Sequence, residues 1–237
     1  MARLKKESPT RLAIIQVAID LFFEKGFSKT TAAEVCRKAD IGTGNLTFYF
    51  PTKEHILDVL VTMMCDHQWK MIQTFTDEGK SSLLCYCLEF ATMASVSEEI
   101  PQMRDFFVSA YSHPITLENI RANDVEKMKQ VFGAFCPDWT DEQFVEAEAI
   151  VSGIEYATLM TTAHSASLPT RLEGALNTIM MLFGVPEDLR QAKVQKVLAM
   201  DYHTIGRRVF DDFRQYVNET NEKAIDDFLQ KYHIKHE

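Results

Sequence analysis

A short segment near the N-terminus carries side chains of the size and type that contact duplex DNA. Thr43, Asn45 and Thr47 are small and polar, and they lie on or beside one side of a short predicted helix. Such side chains can approach base edges or phosphates without a steric clash. Leu46 and Phe50 are spaced to anchor the same helix to its neighbours. The segment therefore predicts a helix, from Thr43 to Phe50, that presents polar groups to a DNA groove.

Three residues around this helix have the chemistry to bind the DNA backbone. Tyr49 can offer its hydroxyl to a phosphate, and Lys53 brings a positive charge to the start of the next predicted helix. Thr31 lies at a predicted helix N-terminus, where free backbone amides and the helix dipole favour a phosphate. These positions predict contacts that orient the protein on DNA, whatever the base sequence.

The first predicted helix has both of its ends marked in the sequence. Ser8 is a good N-cap, and Pro9 suits the first helical position because no amide donor is needed there. Gly26 suits a left-handed cap after Lys25. The apolar residues between them recur on one helical face: Leu12, Ile15, Ile19 and Phe22.

The two elements that must position the DNA-contacting residues are short helices joined by a tight turn. The second predicted helix opens at Thr31 with Glu34 three residues later, which is the spacing of a capping box. A turn follows at 40–42, and after the third helix Thr52 caps a long fourth helix over about 53–76. Two helices in this arrangement place the second one in the major groove of DNA.

The distribution of charge supports the same location. The whole chain of 237 residues has a formal net charge of −9. Residues 1–55 contain nine Lys and Arg against six Asp and Glu, whereas residues 56–237 contain sixteen against twenty-eight. Because a nucleic-acid surface needs only a local positive field, the basic N-terminal part remains compatible with DNA binding.

The motif as a whole resembles the signature of the TetR/AcrR family of repressors. The resemblance covers roughly residues 8–57. It comprises the pair Thr30-Thr31 and the run Ile41-Gly42-Thr43-Gly44-Asn45-Leu46-Thr47-Phe48-Tyr49-Phe50-Pro51-Thr52-Lys53-Glu54. It implies a dimeric, sequence-specific DNA-binding regulator with a small-molecule effector. It also implies DNA contacts by Thr31, Thr43, Gly44, Asn45, Thr47, Tyr49 and Lys53.

Three positions depart from the family pattern. Asp40 replaces the usual glycine of the turn, and Asp can adopt the left-handed geometry although it brings negative charge near DNA. Gly42 replaces the usual serine and removes a side-chain cap. Thr47 replaces the usual first aromatic of the recognition helix, so a base-reading code cannot be transferred from the family.

The remainder of the chain predicts a larger helical bundle. No convincing strand pattern is present, so the expected fold is all-α, with a helix-turn-helix domain at 1–53 and a ligand-binding and dimerisation domain at 54–237. Prolines and glycines place the bundle helices at about 80–96, 99–111, 116–135, 140–166, 170–183, 187–217 and 221–233.

Two apolar stripes in this bundle are candidates for the contact between subunits. Ala149, Gly153 and Ala157 leave a smooth track on which another helix can approach closely. The second stripe lies on the predicted helix 187–217 and comprises Leu198, Tyr202, Ile205, Val209 and Phe213. At least one of the two is expected at a homodimer interface, and the alternative is that both belong to the core of one chain.

The effector is expected to be small and largely apolar, because aromatic and methionine side chains suit an adaptable apolar cavity. The candidate lining residues are Trp69, Tyr86, Phe90, Phe107, Tyr111, Tyr156, Met160 and His164. Glu89, Arg104 and Glu155 are further candidates for polar specificity. The same helical spacing also fits an ordinary core. A cavity of at least ~300 Å³ touching the fourth helix is the structural expectation.

The fourth helix also suggests how an effector would act. It begins at Lys53 in the DNA-binding unit, and Trp69 lies towards its other end. About 20 residues at 1.5 Å each make a lever of roughly 30 Å. A small tilt near Trp69 would therefore displace the DNA-binding end by several ångströms, and a coupling of ~1–3 kcal/mol would suffice for regulation.

Other classes of protein fit the sequence less well. No catalytic triad, phosphate-binding loop or metal-ligand motif can be placed, so neither an enzyme nor a cofactor is expected. The five cysteines are an odd number at scattered positions and predict reduced thiols. No membrane span or secretion signal is evident, so a cytoplasmic protein is expected. A helical scaffold that does not bind DNA remains an alternative.

Overall fold

The computed structural model describes residues 11–78 and 82–232, and this part of the chain contains twelve α-helices and no strand. The expected all-α class is therefore confirmed. The helices are α1 Arg11–Lys25, α2 Ala32–Ala39, α3 Thr43–Tyr49, α4 Lys53–Ile72, α5 Leu83–Glu99, α6 Pro101–Ser112, α7 Pro114–Phe132, α8 Asp141–Leu159, α9 Leu168–Leu182, α10 Glu187–Leu198, α11 Tyr202–Glu219 and α12 Glu222–Lys231. The predicted cap at Ser8 and Pro9 lies outside the described residues.

The first three helices form where the local signals place them. Gly26 ends α1 with a φ of 98°, and the Thr31–Glu34 capping box opens α2 with both of its hydrogen bonds. Thr52 is the N-cap residue of α4, but its side chain makes no capping bond to the backbone and contacts Nδ1 of His55 at 3.0 Å instead.

The predicted helix 187–217 is wrong, because the chain breaks it into α10 and α11. The break contains neither glycine nor proline. The Asp201 side chain accepts a hydrogen bond from the backbone N–H of Thr204 at 3.1 Å and so starts a new helix. The new direction packs α11 closely on α5, where a Cβ on Gly206 would lie 2.7 Å from Val96 Cγ2. Tyr202, Val209 and Phe213 are buried there, within the core of this chain.

The predicted helix 140–166 is also too long, since α8 ends at Leu159. The residues that follow are rich in Ser and Thr, whose side chains hydrogen-bond the local backbone and compete with helix formation. Ser165 Oγ accepts from the N–H of Thr162 at 2.8 Å, and Thr162 Oγ1 accepts from the N–H of His164 at 3.3 Å. The segment between α8 and α9 is therefore an exposed loop.

Candidate DNA-binding surface and buried polar cavity

A tight turn with left-handed geometry connects α2 to α3. Asp40 has φ 55° and ψ 46°, and its N–H donates to the carbonyl oxygens of Arg37 and Cys36. An aspartate tolerates this conformation better than most residues do, which explains how it replaces glycine. Leu46 and Phe50 are buried against the neighbouring helices, so the turn and these two anchors fix the orientation of α3.

The opposite side of α3 faces solvent. Its exposed residues are Thr43, Gly44, Asn45, Thr47 and Phe48. Phe48 is 78% exposed, more than any other large apolar side chain in the described part of the chain. It is absent from the predicted contacts, although its position two residues from both Leu46 and Phe50 already implies that it points away from the core. The exposed side of α3 therefore combines small polar groups with one aromatic ring.

Two of the predicted contacts on α3 have partners within the chain. The Thr47 hydroxyl donates back to its own helix, at 3.1 Å from the carbonyl oxygen of Thr43 and 3.2 Å from that of Gly44. Its hydroxyl hydrogen is thus used locally. The Tyr49 ring lies 5.7 Å from the guanidinium carbon of Arg11, an arrangement that holds a positive charge beside the tyrosine.

Thr31 lies at the α2 N-terminus beside a carboxylate. Its hydroxyl donates to Glu34 Oε2 at 3.0 Å, and the Glu34 carboxylate also accepts from the backbone N–H of Thr31. A hydrogen bond from Lys25, followed by those from Thr31, lowers the pKa of Glu34 to about 2. The carboxylate is therefore charged at neutral pH, and a phosphate at this helix end would have to displace it.

Lys53 is held by the turn between α1 and α2. Its ammonium donates to the carbonyl oxygens of Phe27 and Thr30, both at 3.1 Å, and lies 4.1 Å from the centroid of the Phe27 ring. At most one of its three donors remains for a phosphate. Exposed cations elsewhere on the same unit are Lys29, Arg37 and Lys38, and Arg37 has a side chain that is 80% exposed.

A small enclosed cavity lies in the middle of the bundle, between α4, α5, α6, α7 and α8. Its volume is about 40 Å³, far below the expected ~300 Å³. An open groove of about 380 Å³ lies next to it, between α4, α7 and the end of α12. Cys65, Asp124 and Lys127 contribute to both, so these side chains separate the inner space from the groove.

One wall of the cavity is a carboxylate bound by two tyrosines. Glu155 is 6% exposed. Its Oε1 accepts from the Tyr86 hydroxyl at 3.2 Å and its Oε2 accepts from the Tyr111 hydroxyl at 2.6 Å. Burial and the nearby Asp124 charge raise the pKa of Glu155 to about 7. The group is therefore poised between its neutral and charged forms at physiological pH.

The other wall is an ion-pair cluster around Lys127. The Lys127 ammonium lies 2.9 Å from Glu89 Oε2 and 3.1 Å from Asp124 Oδ1, and it is 5.2 Å from the centroid of the Trp69 ring. Burial opposes its charge, but Asp124 and Glu89 raise the pKa of Lys127 above its usual range. This cluster closes the cavity on the side of the groove.

The structure brings together half of the predicted ligand-binding residues. Tyr86, Phe90, Phe107 and Tyr111 line the cavity, as do the polar candidates Glu89 and Glu155. Trp69 lines the adjoining groove. The other candidates line neither space: Tyr156, Met160, His164 and Arg104. Met160 directly follows α8 and is 47% exposed, and His164 lies in the loop after it. Arg104 Nε donates to the carbonyl oxygen of Ser97.

Sequence reasoning missed Lys127 and Asp124, which lie between the cavity and the groove. Their spacing on α7 is ordinary for a surface ion pair, so only their burial against α4 and α5 distinguishes them. Within the described residues, no cluster of side chains suited to a metal ion is found. No described helix is both long enough and apolar enough to cross a membrane.

Comparison with known proteins identifies the N-terminal unit. The family model for bacterial regulatory proteins of the tetR family matches residues 14–60, which include α1, the α2–turn–α3 unit and the start of α4. Residues 14–60 therefore form an N-terminal domain of the tetR-family type. The match ends before the first of the cavity-lining residues, Val61.

Two curated relatives of this protein come from Bacillus subtilis. YuxN, described as an uncharacterised HTH-type transcriptional regulator, is 28% identical over 93 residues, which are 39% of this chain. YttP, described as a probable HTH-type transcriptional regulator, is 32% identical over 65 residues, which are 27% of this chain. Each matched segment spans 31% of the length of the relative.

The solved structures that match the chain over most of its length include two Streptomyces regulators. CprB, a TetR-family protein of S. coelicolor, has 20% identity and a TM-score of 0.41, with 84% of this chain and 95% of that chain covered. The TetR regulator TylP of Streptomyces fradiae has 17% identity and a TM-score of 0.47, with 88% and 99% covered. We infer no function from these likenesses.

Proposed function

We propose that this protein is a sequence-specific DNA-binding transcriptional regulator of the TetR family that acts as a repressor, with α3 as its recognition helix. The observation that carries the proposal is the exposed side of α3, fixed in place by Leu46 and Phe50. Thr43, Asn45 and the Phe48 ring reach base edges in the major groove. Phosphate contacts come from the positive side chains around α2 and from the N-terminal basic segment, which lies outside the described residues.

We propose further that the protein binds DNA as a homodimer through α8 and α9. The smooth track Ala149–Gly153–Ala157 lies on the accessible side of α8. Four of the large exposed apolar side chains lie on these two helices or directly after α8: Val145, Ile150, Met160 and Met181. Burying them against a second copy removes apolar surface from water. A two-fold dimer then places two recognition helices in successive major grooves, about one turn of DNA apart.

The same proposal includes an effector that binds in the C-terminal bundle and changes the spacing of the two DNA-binding units. Helix α4 extends from Lys53 in the DNA-binding unit to the wall of the cavity. A second connection runs through α6, where Asp105 Oδ2 accepts from the N–H of Ser28 at 2.7 Å while Phe107 lines the cavity. Displacement of either helix by a ligand therefore moves the N-terminal unit.

Selection of bound duplexes from a random pool tests the proposal. We expect a recovered site with inverted symmetry, bound by a dimer in sedimentation experiments, with an affinity that falls steeply with salt. Asn45→Ala should relax discrimination at particular bases, whereas the matched variant Asn218→Ala, at an exposed position on α11, should not. Recovery of no sequence above background, or binding by a monomer to a site without symmetry, would overturn the proposal.

A further inference from the structure

We infer that the effector is a lipophilic cation whose positive charge binds at Glu155, between the hydroxyls of Tyr86 and Tyr111. The inference rests on the proposed function for the consequence of binding. The binding itself depends only on the cavity. It refines the expected apolar effector by assigning it a charge.

The charges around the cavity do not balance. Three carboxylates line it, Glu89, Asp124 and Glu155, against the single ammonium of Lys127. Lys127 contacts Glu89 and Asp124. Glu155 has no ion pair within the described part of the chain, and its oxygens accept only from tyrosine hydroxyls. A positive ligand is the partner that this wall lacks, because a buried carboxylate without a counter-charge is costly.

A second observation places another buried carboxyl without a hydrogen-bond partner next to the cavity wall. Glu148 lies seven residues before Glu155, on the same face of α8, and is 1% exposed. Neither of its carboxylate oxygens has a hydrogen-bond partner, and the nearest cation is Arg121, whose Nε is 3.8 Å away. Burial raises the pKa of Glu148 to about 8. This buried acid is therefore mostly protonated at neutral pH, and a cation bound nearby would favour its ionised form as well as that of Glu155.

The opposite ligand charges fit the same walls poorly. An anionic effector would add a fourth negative charge to an interior that already holds three carboxylates around one ammonium. A neutral effector would leave Glu155 as it is and gain nothing from its charge. Of cationic, anionic and neutral ligands, only a cation gains affinity from the excess of carboxylates around the cavity.

Lys127 is an internal example of the required recognition. Its ammonium lies between two carboxylates and beside the face of Trp69, which is how proteins bind organic ammonium groups. The same side chain separates the cavity from the groove of about 380 Å³. A cationic ligand that enters by this groove displaces the Lys127 ammonium towards solvent and joins the two spaces.

The remaining walls suit an apolar body attached to the charge. Phe90 and Phe107 provide aromatic surface, and Met64 and Met93 provide flexible side chains that adapt to irregular shapes. The joined space reaches the range of volumes that holds a small organic ligand. The ligand therefore has one cationic end at Glu155 and an aromatic or aliphatic remainder among these side chains.

A series of ligands matched in shape separates charge from lipophilicity. We would titrate the full-length protein, in the absence of DNA, with 4-phenylbutylamine, 4-phenylbutanol and 4-phenylbutyrate in a calorimeter. Because a hydrogen bond to a charged group contributes about 1.5–3 kcal/mol, the amine should bind ~10-fold or more tightly than the alcohol, and the acid most weakly. If the amine binds no more tightly than the alcohol, this measurement on the original protein alone overturns the inference.

Two variants with opposite effects locate the charge. Glu155→Gln keeps an acceptor for the tyrosines and should reduce amine affinity ~10-fold while leaving alcohol affinity unchanged. Lys127→Met removes the internal cation and should increase amine affinity, which no loss of folding could imitate. The control Glu187→Gln, at an exposed carboxylate on α10, should change neither. A decrease in amine affinity in Lys127→Met, or full amine affinity in Glu155→Gln, would contradict the assignment.

DNA binding is measured in an assay separate from ligand binding, so that each of the two proposals can fail while the other stands. If the amine binds in the way described but no duplex is selected, the DNA-binding proposal fails and the cation site stands. If a symmetric operator is recovered but the three ligands bind alike, the regulator stands and the cation site fails. When both hold, the amine should weaken operator binding more than the alcohol does at equal concentration.

Discussion

The exposed side of α3 and the cavity between α4 and α8 are built in opposite ways. The first takes its contacts from a single helix of seven residues, and most of them are uncharged and in water. The second collects side chains from five helices, and its ionisable groups are buried. A surface that binds a macromolecule can therefore be specified by a short stretch of sequence. A buried site that prefers one ligand charge depends instead on how distant helices pack together.

The two regions should therefore respond to different perturbations. Changes on α3 should act on DNA affinity and leave stability almost unchanged, because its exposed groups contact little of the protein. Changes in the cavity should act on stability and on its pH dependence, since burial displaces the pKa values of Glu148 and Glu155.

The largest expected effect is a loss of stability when Phe50, which anchors α3, is truncated. Phe50 is 0% exposed, and Phe50→Ala should lower the free energy of unfolding by about 3–5 kcal/mol, because it leaves a cavity beneath the recognition helix. Phe48→Ala, two residues away, is the matched control and should change stability by less than about 0.5 kcal/mol. Denaturant titration of both variants checks this. Equal losses would mean that the Phe48 ring packs on the protein.

The same pair of residues should behave in the reverse order on DNA. Burying the Phe48 ring against base edges or thymine methyl groups contributes about 1.5–3 kcal/mol, so Phe48→Ala should weaken operator binding ~10-fold or more. Replacing thymine by uracil at individual positions of the selected site should reproduce part of the loss in the original protein and none in the variant. Unchanged affinity of Phe48→Ala would remove this residue from the interface.

The dependence of protein stability on pH tests the buried carboxyl groups in and beside the cavity. Burial raises the pKa of Glu148 from 4.5 to about 8, with Asp124 and Glu155 adding to the shift and Arg121 and Lys127 opposing it. Between these pH values the folded protein holds a proton that the unfolded chain has released. The free energy of unfolding should therefore fall as the pH rises, by at most about 1.4 kcal/mol per unit for this group.

Glu148→Gln should remove this part of the slope and stabilise the protein at pH 8 relative to the original chain. Glu187→Gln, at an exposed carboxylate, is the control and should leave the slope unchanged. Thermal unfolding across pH 5 to 8 provides the measurement. A steeper slope in Glu148→Gln than in the original protein would contradict a protonated Glu148.

The smallest expected effect concerns the backbone contacts. Since two carbonyl oxygens hold the Lys53 ammonium, Lys53→Ala should reduce the salt dependence of DNA binding less than Arg37→Ala, which removes an exposed charge. One phosphate contact corresponds to a change of about 0.9 in the slope of log affinity against log salt. Filter binding over a range of salt concentrations separates the two. If Lys53→Ala lowered the slope of log affinity against log salt by a full unit, Lys53 would be a phosphate ligand after all.

Sequence alone determined the N-terminal unit because each of its signals acts over a few residues. The Thr31–Glu34 capping box, the left-handed Asp40 and Gly26, and the anchors Leu46 and Phe50 are all found where the local pattern places them. Local hydrogen bonds and conformational preferences fix such elements almost without reference to the rest of the chain. The helical class of the whole chain follows from periodicity in the same way.

Tertiary structure alone decided the rest. The break between α10 and α11 allows the close packing of Gly206 on α5, and at the break itself the sequence offers only the N-cap residue Asp201 as a signal. The Lys53 ammonium links α4 to the α1–α2 turn, because that turn presents two carbonyl oxygens to it. The charge of the cavity exists only because α5, α7 and α8 bring Glu89, Asp124, Lys127 and Glu155 together in the interior of the bundle. Burial in a medium of low dielectric is a property of the assembled bundle, and it turns ordinary helix-surface residues into a site.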